Sequence, residues 1–548
     1  MVRFAAIVCL LSLSVSATAQ QQILHVRLFW QHPPAKIHIV PVKASVRSCD
    51  TCAQKPLSSA MDVTAQGSTV LSEGISSSAL SLNGRVRITG ENFPPFEIDN
   101  ELRIASREGF LLLMLSMTPE QYVAAILQGE SAGFKSNEAL KAMAVAARTY
   151  AVHFGSRHRL EGFDFCDTTH CQDMRLGNES ARTKATVTAT EGELLWFAGR
   201  PAATYYHRSC GGETEDASAL EPDLHAPYLR RHHDDYCLRI PDEWHAEISK
   251  PDLARALSRP VKEVSVTARS ASGRVQRLLI NQRPISATDF RLAVGRTLGW
   301  DKIRSDLYQL EDRGDRISFR GRGQGHGVGL CQTGADSMGE QGRSYREILS
   351  FYYPGTALGL NAQGLSWEKL PGESLDLVTT HREDGTALLP SAERALRFAI
   401  QQTGWNLNIR PQVKVYPTVA IYRDATGEPG WVAASTRGNV IRLQPVSTLQ
   451  RSQALDSTLR HEFLHLLIES QARPGTPLWL REGLAIYLSN PNLRTPANVD
   501  IAALELRLHS MQSEAEMRAA YRDSAAAVAD EVKKNGLHMV LVRLQNGR

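Results

Sequence analysis

The stretch from Gly359 to Glu373 divides this chain. It holds three glycines and a proline, and the residue patterns on its two sides differ. A chain of 548 residues exceeds what one hydrophobic core supports, so a break of this composition predicts separate domains. Residues 20–358 read as a mixed β-rich and helical module, 359–374 as the linker, and 375–548 as a second α+β unit. The expected fold class is multidomain α+β. In the first module, Ile23 to Phe29, Ala35 to Val46 and Arg85 to Leu115 read as β-rich. Lys36-Ile37-His38-Ile39-Val40 alternates with the period of a half-buried strand. Ser58 to Asn83 reads as turns between short strands. Thr118-Pro119-Glu120-Gln121 then predicts a helix start, with Thr as N-cap, Pro in the first turn and Gln completing a capping box. A second helix is expected from Ser136 through Tyr150.

The first residues point to export. Arg3 precedes an apolar run from Phe4 to Val15, and Ala17-Thr18-Ala19 is an A-x-A cleavage site. Together they predict a signal peptide over 1–19. The run is shorter than the roughly 20 residues needed to span a bilayer, and no later segment is long and apolar enough to span. The expected location is the periplasm, cell wall or extracellular space. Net charge is +4, from 62 basic against 58 acidic residues, which excludes the strong basic bias of a nucleic-acid binder. Cys9 leaves with the signal peptide. Of the seven remaining cysteines, Cys49 and Cys52 read as a local disulfide, and Cys210 with Cys237 as another. An odd count leaves at least one unpaired or metal-bound.

One constellation surrounds Glu130, which falls at the end of the first helix. Gln128-Gly129-Glu130-Ser131-Ala132-Gly133-Phe134 is followed by Glu138 to Tyr150. Further along stand Tyr206-His207-Arg208-Ser209-Cys210-Gly211-Gly212-Glu213-Thr214-Glu215 and Gly321-Arg322-Gly323-Gln324-Gly325-His326-Gly327-Val328-Gly329. Gln332-Thr333-Gly334-Ala335 and Ser344 to Thr356 complete the series. The glycines do not have the spacing of a dinucleotide fingerprint. At this density they let a backbone approach a ligand closely.

These runs, in this order over roughly residues 23 to 358, resemble the SpoIID/LytB family. One departure is Arg208, inserted before the Ser of the family's "YHS-x-GG-x-TE" stretch. The resemblance implies lytic cleavage of peptidoglycan glycan strands, with Glu130 as acid/base. One carboxyl suffices, because it can protonate the leaving oxygen and then take the proton of the sugar's own 6-hydroxyl. The negative end of the helix dipole would raise its pKa. His207, His326 and Gln332 are expected to line the sugar groove. Arg148, Thr149 and Tyr150 read as structural residues of the second helix. The LytB-like members imply a different role, a glycan-binding enhancer of a cell-wall amidase.

Cys166-Asp167-Thr168-Thr169-His170-Cys171 gathers ligands of zinc type, and His158 lies just upstream. Two Cys and two His make a tetrahedral zinc set, and some relatives look similar here and hold zinc. A Cys166–Cys171 disulfide is the alternative in an exported protein, and His153 is the alternative to His158.

The second module carries His461-Glu462-Phe463-Leu464-His465. On a helix, residues four apart share a face, so both imidazoles can reach one zinc ion while Glu462 serves as base. Asp456 and Ser457 are candidate N-caps. Thr476-Pro477 starts another helix, which presents Glu482 as a third ligand. The run Trp479-Leu480-Arg481-Glu482-Gly483-Leu484-Ala485-Ile486-Tyr487 resembles gluzincin-type peptidases of the peptidase MA-like group, over about residues 375 to 500. That resemblance implies peptide or protein substrates. Val440-Ile441-Arg442-Leu443 is the expected edge strand for an extended peptide.

Overall fold

The computed structural model describes residues 23–546 apart from 50, 156, 178, 222–223, 474, 490–498 and 510–512. The predicted signal peptide, with Cys9, lies outside the described residues. Among the described residues, no helix is long and apolar enough to cross a membrane. The chain is a multidomain α+β protein with several separate sheets. It divides into two compact units, Ile23–Trp367 and the residues from Glu368 onward. The division falls inside the stretch expected as linker, but that stretch is not bare loop. Gly359 ends a strand that pairs with Leu194–Phe197 in the first unit. Glu368–Pro371 pairs antiparallel with Asp376–Thr379 in the second.

In the first unit, period-2 patterning builds an 11-stranded sheet. Ile37 and Ile39 are buried in the strand Lys36–Arg47 between exposed Lys36, His38 and Val40. Leu111, Leu113, Leu115 and Met117 are buried in the strand Phe110–Met117. Their shared core includes Tyr122, Ile126 and Leu127 of the helix Pro119–Glu130, and Met143 and Ala147 of the helix Asn137–His153. Burying each of these larger side chains contributes about 1.5–3 kcal/mol. Both helix starts are capped, the first as the sequence predicts. Thr118 and Gln121 form a capping box. The Ser136 hydroxyl accepts from the backbone N–H groups of Glu138 and Ala139.

Arg148 fixes the second helix against the first. Its Nε and one terminal nitrogen donate to the two carboxylate oxygens of Glu120, at 2.8 and 2.6 Å, with both side chains buried. Glu120 also accepts from the Gly192 N–H. Arg148→Ala leaves the Glu120 charge buried without its cation, so an expected loss of about 3–5 kcal/mol follows. Urea unfolding of the variant measures it. Arg148→Lys is expected to recover only part, because an ammonium cannot reproduce the two-pronged contact.

The strand Tyr206–His207 pairs in parallel with Leu330–Cys331. A parallel pair needs a crossover, and here the intervening chain builds a subdomain of its own. Glu243–Ser249 and Tyr308–Asp312 both pair with Arg316–Arg322. A hairpin sheet and the helix Ala287–Leu298 complete it. Trp244, Leu253, Phe290 and Phe319 form its separate core.

The second unit has a five-stranded sheet in the order Glu368–Pro371, Asp376–Thr379, Gln412–Val415, Val440–Leu443, Ala434–Arg437. Val440–Leu443 is therefore not the edge strand. Ile441 and Leu443 are core residues, and the preceding hairpin arm Ala434–Arg437 covers the strand on its outer side. The edge belongs to Ala434–Arg437. The helix Leu455–Gln471 starts from Ala454 without a side-chain cap, so Asp456 and Ser457 already lie in its first turn. The core includes Leu459, Phe463 and Leu467 from this helix and Leu484 and Leu488 from Leu478–Ser489.

Candidate active site and metal centres

Glu130 is the last residue of its helix. The segment after the Cys/His run crosses it closely. At Gly129 a Cβ would stand 2.2 Å from the carbonyl oxygen of Asp173, so only glycine permits the approach. That approach places the Asp173 backbone N–H 2.8 Å from Glu130 Oε1. Gln332 Nε2 donates to Glu130 Oε2 at 3.1 Å, and the Tyr206 hydroxyl donates to Oε1 at 3.4 Å. Tyr206 is held in turn: its hydroxyl accepts from Gln172 Nε2 at 2.7 Å, and Gln172 Oε1 accepts from the Tyr122 hydroxyl at 2.9 Å. Burial raises the Glu130 pKa above the ordinary range, against the lowering effect of the Asp173, Gln332 and Tyr206 donors. The upward direction is the one expected from sequence, but its largest cause is desolvation rather than the helix end.

Gln332 therefore meets Glu130 directly, while His207 and His326 pair with each other. Their rings lie 5.5 Å apart. His207 Nδ1 lies 3.1 Å from the Val328 carbonyl, and its Nε2 is buried without a hydrogen-bond partner among the described residues. His326 Nδ1 accepts from the Val328 N–H, and its ring meets Tyr205 edge-on. Burial lowers the His207 pKa to about 3 and the His326 pKa well below the ordinary histidine range. Both imidazoles are neutral at physiological pH, suited to hydrogen bonding rather than to carrying charge.

His158, Cys166, His170 and Cys171 place their ligand atoms within 4.8 Å of one another. His158 Nε2 is 3.3 Å from Cys171 Sγ, and His170 Nδ1 is 3.8 Å from both sulfurs. Cys166 and Cys171 are free thiols. His153 is directed elsewhere, with Nδ1 2.8 Å from the Pro201 carbonyl. The donor set fits zinc. Two sulfurs and two imidazoles suit a tetrahedral ion, and His158 Nδ1 is 2.6 Å from Glu161 Oε1, the outer-sphere carboxylate that orients a metal-binding imidazole. This cluster ends one residue before Gln172 and two before Asp173, so it anchors the segment that reaches Glu130.

In the second unit, His461, His465 and Glu482 likewise bring their ligand atoms within 4.8 Å. His465 Nε2 lies 3.1 Å from His461 Nε2 and 3.1 Å from Glu482 Oε2. Two imidazoles and a carboxylate are a donor set that fits a zinc ion. Glu462 is not part of that cluster. It is buried, which raises its pKa, and its Oε2 accepts from the Thr436 hydroxyl at 2.7 Å. Thr436 belongs to the edge strand Ala434–Arg437. A cleft of about 1020 Å³ runs along this strand and is lined by Thr436, His461, Glu462, His465, Glu482 and Tyr521.

Sequence reasoning named Glu130, Gln332, the four metal-type residues of the first set and the three of the second, but missed Tyr206, Gln172, Asp173, Thr436 and Tyr521 as site residues. Tyr206 stands inside one of the quoted runs and Gln172 directly follows another, so they were within reach. Asp173 acts through its backbone, which no side-chain pattern signals. The expected disulfides divide. Cys49 and Cys52 are bonded. Cys210 and Cys237 are free, because Cys331 and Asp234 converge on the same point.

Comparison with known proteins agrees with the geometry of the first unit. The family described as stage II sporulation protein, SpoIID, matches residues 108–197, which include Glu130 and the Cys/His cluster. A family described only as a domain of unknown function matches residues 243–329, the inserted subdomain and the glycine-rich loop. The chain is 30% identical over 254 residues to an uncharacterized protein of Brachyspira hyodysenteriae, covering 45% of this chain and 67% of that one. It is 28% identical over 266 residues to a stage II sporulation protein D of Bacillus amyloliquefaciens, covering 43% of this chain and 72% of the relative. An amidase enhancer of Bacillus subtilis is 26% identical over 289 residues, which cover 42% of this chain and 39% of the enhancer. The first unit thus carries a SpoIID-type domain over residues 108–197 and is similar in sequence to stage II sporulation protein D and to an amidase enhancer.

Proposed function

We propose that this protein is an exported cell-wall enzyme whose first unit cleaves peptidoglycan glycan strands as a lytic transglycosylase. The observation that carries the reading is the half-buried Glu130 carboxyl, raised in pKa and held by three donors. Protonated, it gives its proton to the glycosidic oxygen as the bond to C1 of the muramyl residue breaks. The resulting carboxylate takes the proton of that residue's 6-hydroxyl, and the freed oxygen bonds to C1. The products are a 4-hydroxyl end and a 1,6-anhydro end, with no water consumed and Glu130 protonated again. Incubation of the purified protein with peptide-stripped glycan strands tests this, with products read by mass spectrometry. Anhydro-ended fragments are expected. Reducing ends would mean hydrolysis instead.

The pH profile gives a second check. Glu130 must start protonated, so kcat/KM is retained below its raised pKa and lost as pH rises through it. Gln332 donates to the carboxylate and thereby favours the ionised form. Gln332→Ala removes that donor, so the alkaline limb is expected to move to higher pH. A limb that stays in place separates Gln332 from Glu130.

The second unit reads as a zinc peptidase acting on wall peptides or proteins. His461, His465 and Glu482 would hold the ion, which when bound polarises a carbonyl and acidifies water. Glu462 accepts the proton of the attacking water, and the Thr436 hydroxyl orients its carboxylate. The edge strand Ala434–Arg437 offers unpaired backbone groups to an extended peptide along the cleft.

A stimulating partner role has support from the amidase-enhancer relative. Under that reading the protein binds glycan strands without releasing anhydro ends and raises the rate of a cell-wall amidase added with it.

A further inference from the structure

Three sulfurs from separate parts of the chain meet in the interior of the first unit. Cys210 follows the strand Tyr206–His207, Cys237 lies in the short helix Asp235–Leu238, and Cys331 ends the strand Leu330–Cys331. Asp234 joins them, and the four ligand atoms lie within 4.8 Å of one another. All four residues are at most 1% exposed.

The surroundings suit thiolates. The Cys331 sulfur accepts from the Cys210 and Gly334 backbone N–H groups at 3.2 and 3.3 Å. The Cys210 sulfur accepts from the Gly212 N–H at 3.3 Å. Asp234 is oriented by the Tyr352 hydroxyl, 2.8 Å from Oδ2, and by the Cys237 N–H, 2.9 Å from Oδ1. Space is reserved for this convergence: at Gly334 a Cβ would stand 2.4 Å from Asp234 Oδ2 and 2.2 Å from the Tyr352 hydroxyl. The guanidinium of buried Arg274 donates to the Cys210 carbonyl at 2.7 Å, a counter-charge beside the cluster. A disulfide would use two sulfurs and leave a thiol and a carboxylate buried together. Three sulfurs and a carboxylate converging on one point suit a closed tetrahedral site better.

We propose that Cys210, Asp234, Cys237 and Cys331 bind a structural zinc ion, distinct from the cluster at His158, Cys166, His170 and Cys171. Its place in the fold gives it a task. Cys210 lies four residues after Tyr206, and Cys331 immediately precedes Gln332. The two strands pair in parallel, and Tyr206 and Gln332 are the side chains that hold Glu130. The ion ties both strands to the Asp234 turn and so fixes two of the three donors to the carboxylate.

Metal content of the full chain tests the proposal. In a variant lacking the other two sets, through Cys166→Ser, Cys171→Ser, His461→Ala and His465→Ala, one zinc per chain is expected to remain. Adding Cys331→Ser should remove it. Cobalt exchanged into that remaining site should show thiolate-to-metal charge-transfer absorption, which an oxygen or nitrogen site lacks. The unmodified protein supplies a check that does not depend on folding of variants. Cys210, Cys237 and Cys331 should resist alkylation until a chelator and denaturant are added, and then all three should react without reductant. A Cys210–Cys237 bond found by mass spectrometry under non-reducing conditions overturns the site. So does ready alkylation of the three thiols in the native, metal-containing protein.

Discussion

Glu130→Gln is expected to reduce release of anhydro-ended sugars by at least about 100-fold, the lower end of what a general acid/base contributes. The amide keeps the side chain's size but neither gives nor takes a proton at neutral pH. Glycan binding should persist, because the amide retains the size of the carboxyl and the neighbouring His207–His326 pair is held by the Val328 backbone rather than by Glu130. Glu130→Asp should fall between the two. It retains a carboxyl but draws it back by one methylene from the Asp173, Gln332 and Tyr206 donors. Product release measured by mass spectrometry and binding measured by co-sedimentation with insoluble wall separate these effects. Full lytic activity in Glu130→Gln would remove Glu130 from the chemistry. Binding without anhydro products in the wild type would assign the unit to the enhancer role.

The parts of this protein that were legible in the sequence are those written within a few residues. The capping box at Thr118 and Gln121 needs only one helical turn, and the alternation around Ile37 and Ile39 only one strand. Glu130 was found through a long contiguous run, and His461 and His465 through helical spacing. What escaped, even for residues already named, is contact between positions far apart along the chain. Gln332 meets Glu130 across 202 positions and Tyr206 across 76. The pairing of Tyr206–His207 with Leu330–Cys331, which brings Tyr206 and Gln332 together, joins residues on either side of the inserted subdomain. No local pattern encodes that return.

The cysteines show the same limit from another side. Cys49 and Cys52 are close enough in sequence for their pairing to be read directly. Cys210 and Cys237 read as a pair because neither stands in a ligand cluster along the sequence, but in the fold a third sulfur arrives from residue 331. The edge-strand expectation failed for a related reason. Val440–Leu443 has the apolar character of a strand, but that same character buries it between Gln412–Val415 and Ala434–Arg437. The more polar Ala-Ser-Thr-Arg arm takes the outer position, along the cleft.

In the second unit, two glutamates twenty residues apart in the chain are expected to fail in opposite ways. Glu462→Gln should keep the zinc, since Glu462 lies outside the cluster formed by His461, His465 and Glu482. It should nevertheless lose at least about 100-fold in cleavage of an unstructured protein substrate, because the attacking water loses its proton acceptor. Glu482→Ala removes one of the three donors, so metal affinity should fall together with activity. The contrast is sharpened by Thr436→Val. That change deletes the hydroxyl that donates to Glu462 at 2.7 Å and touches none of the three donors. It should leave zinc content unchanged and lower kcat, with the acidic limb of the rate profile moved to higher pH. The sign follows from the direction of the contact: the hydroxyl favours ionised Glu462, a base must be ionised to act, and its loss raises a pKa that burial has already raised. Metal analysis beside kinetics on the full chain reads all three variants. Equal zinc loss in Glu462→Gln and Glu482→Ala would mean that the base and the ligand have been exchanged. Zinc retained in the wild type with no cleavage of varied substrates would assign the unit to binding rather than catalysis.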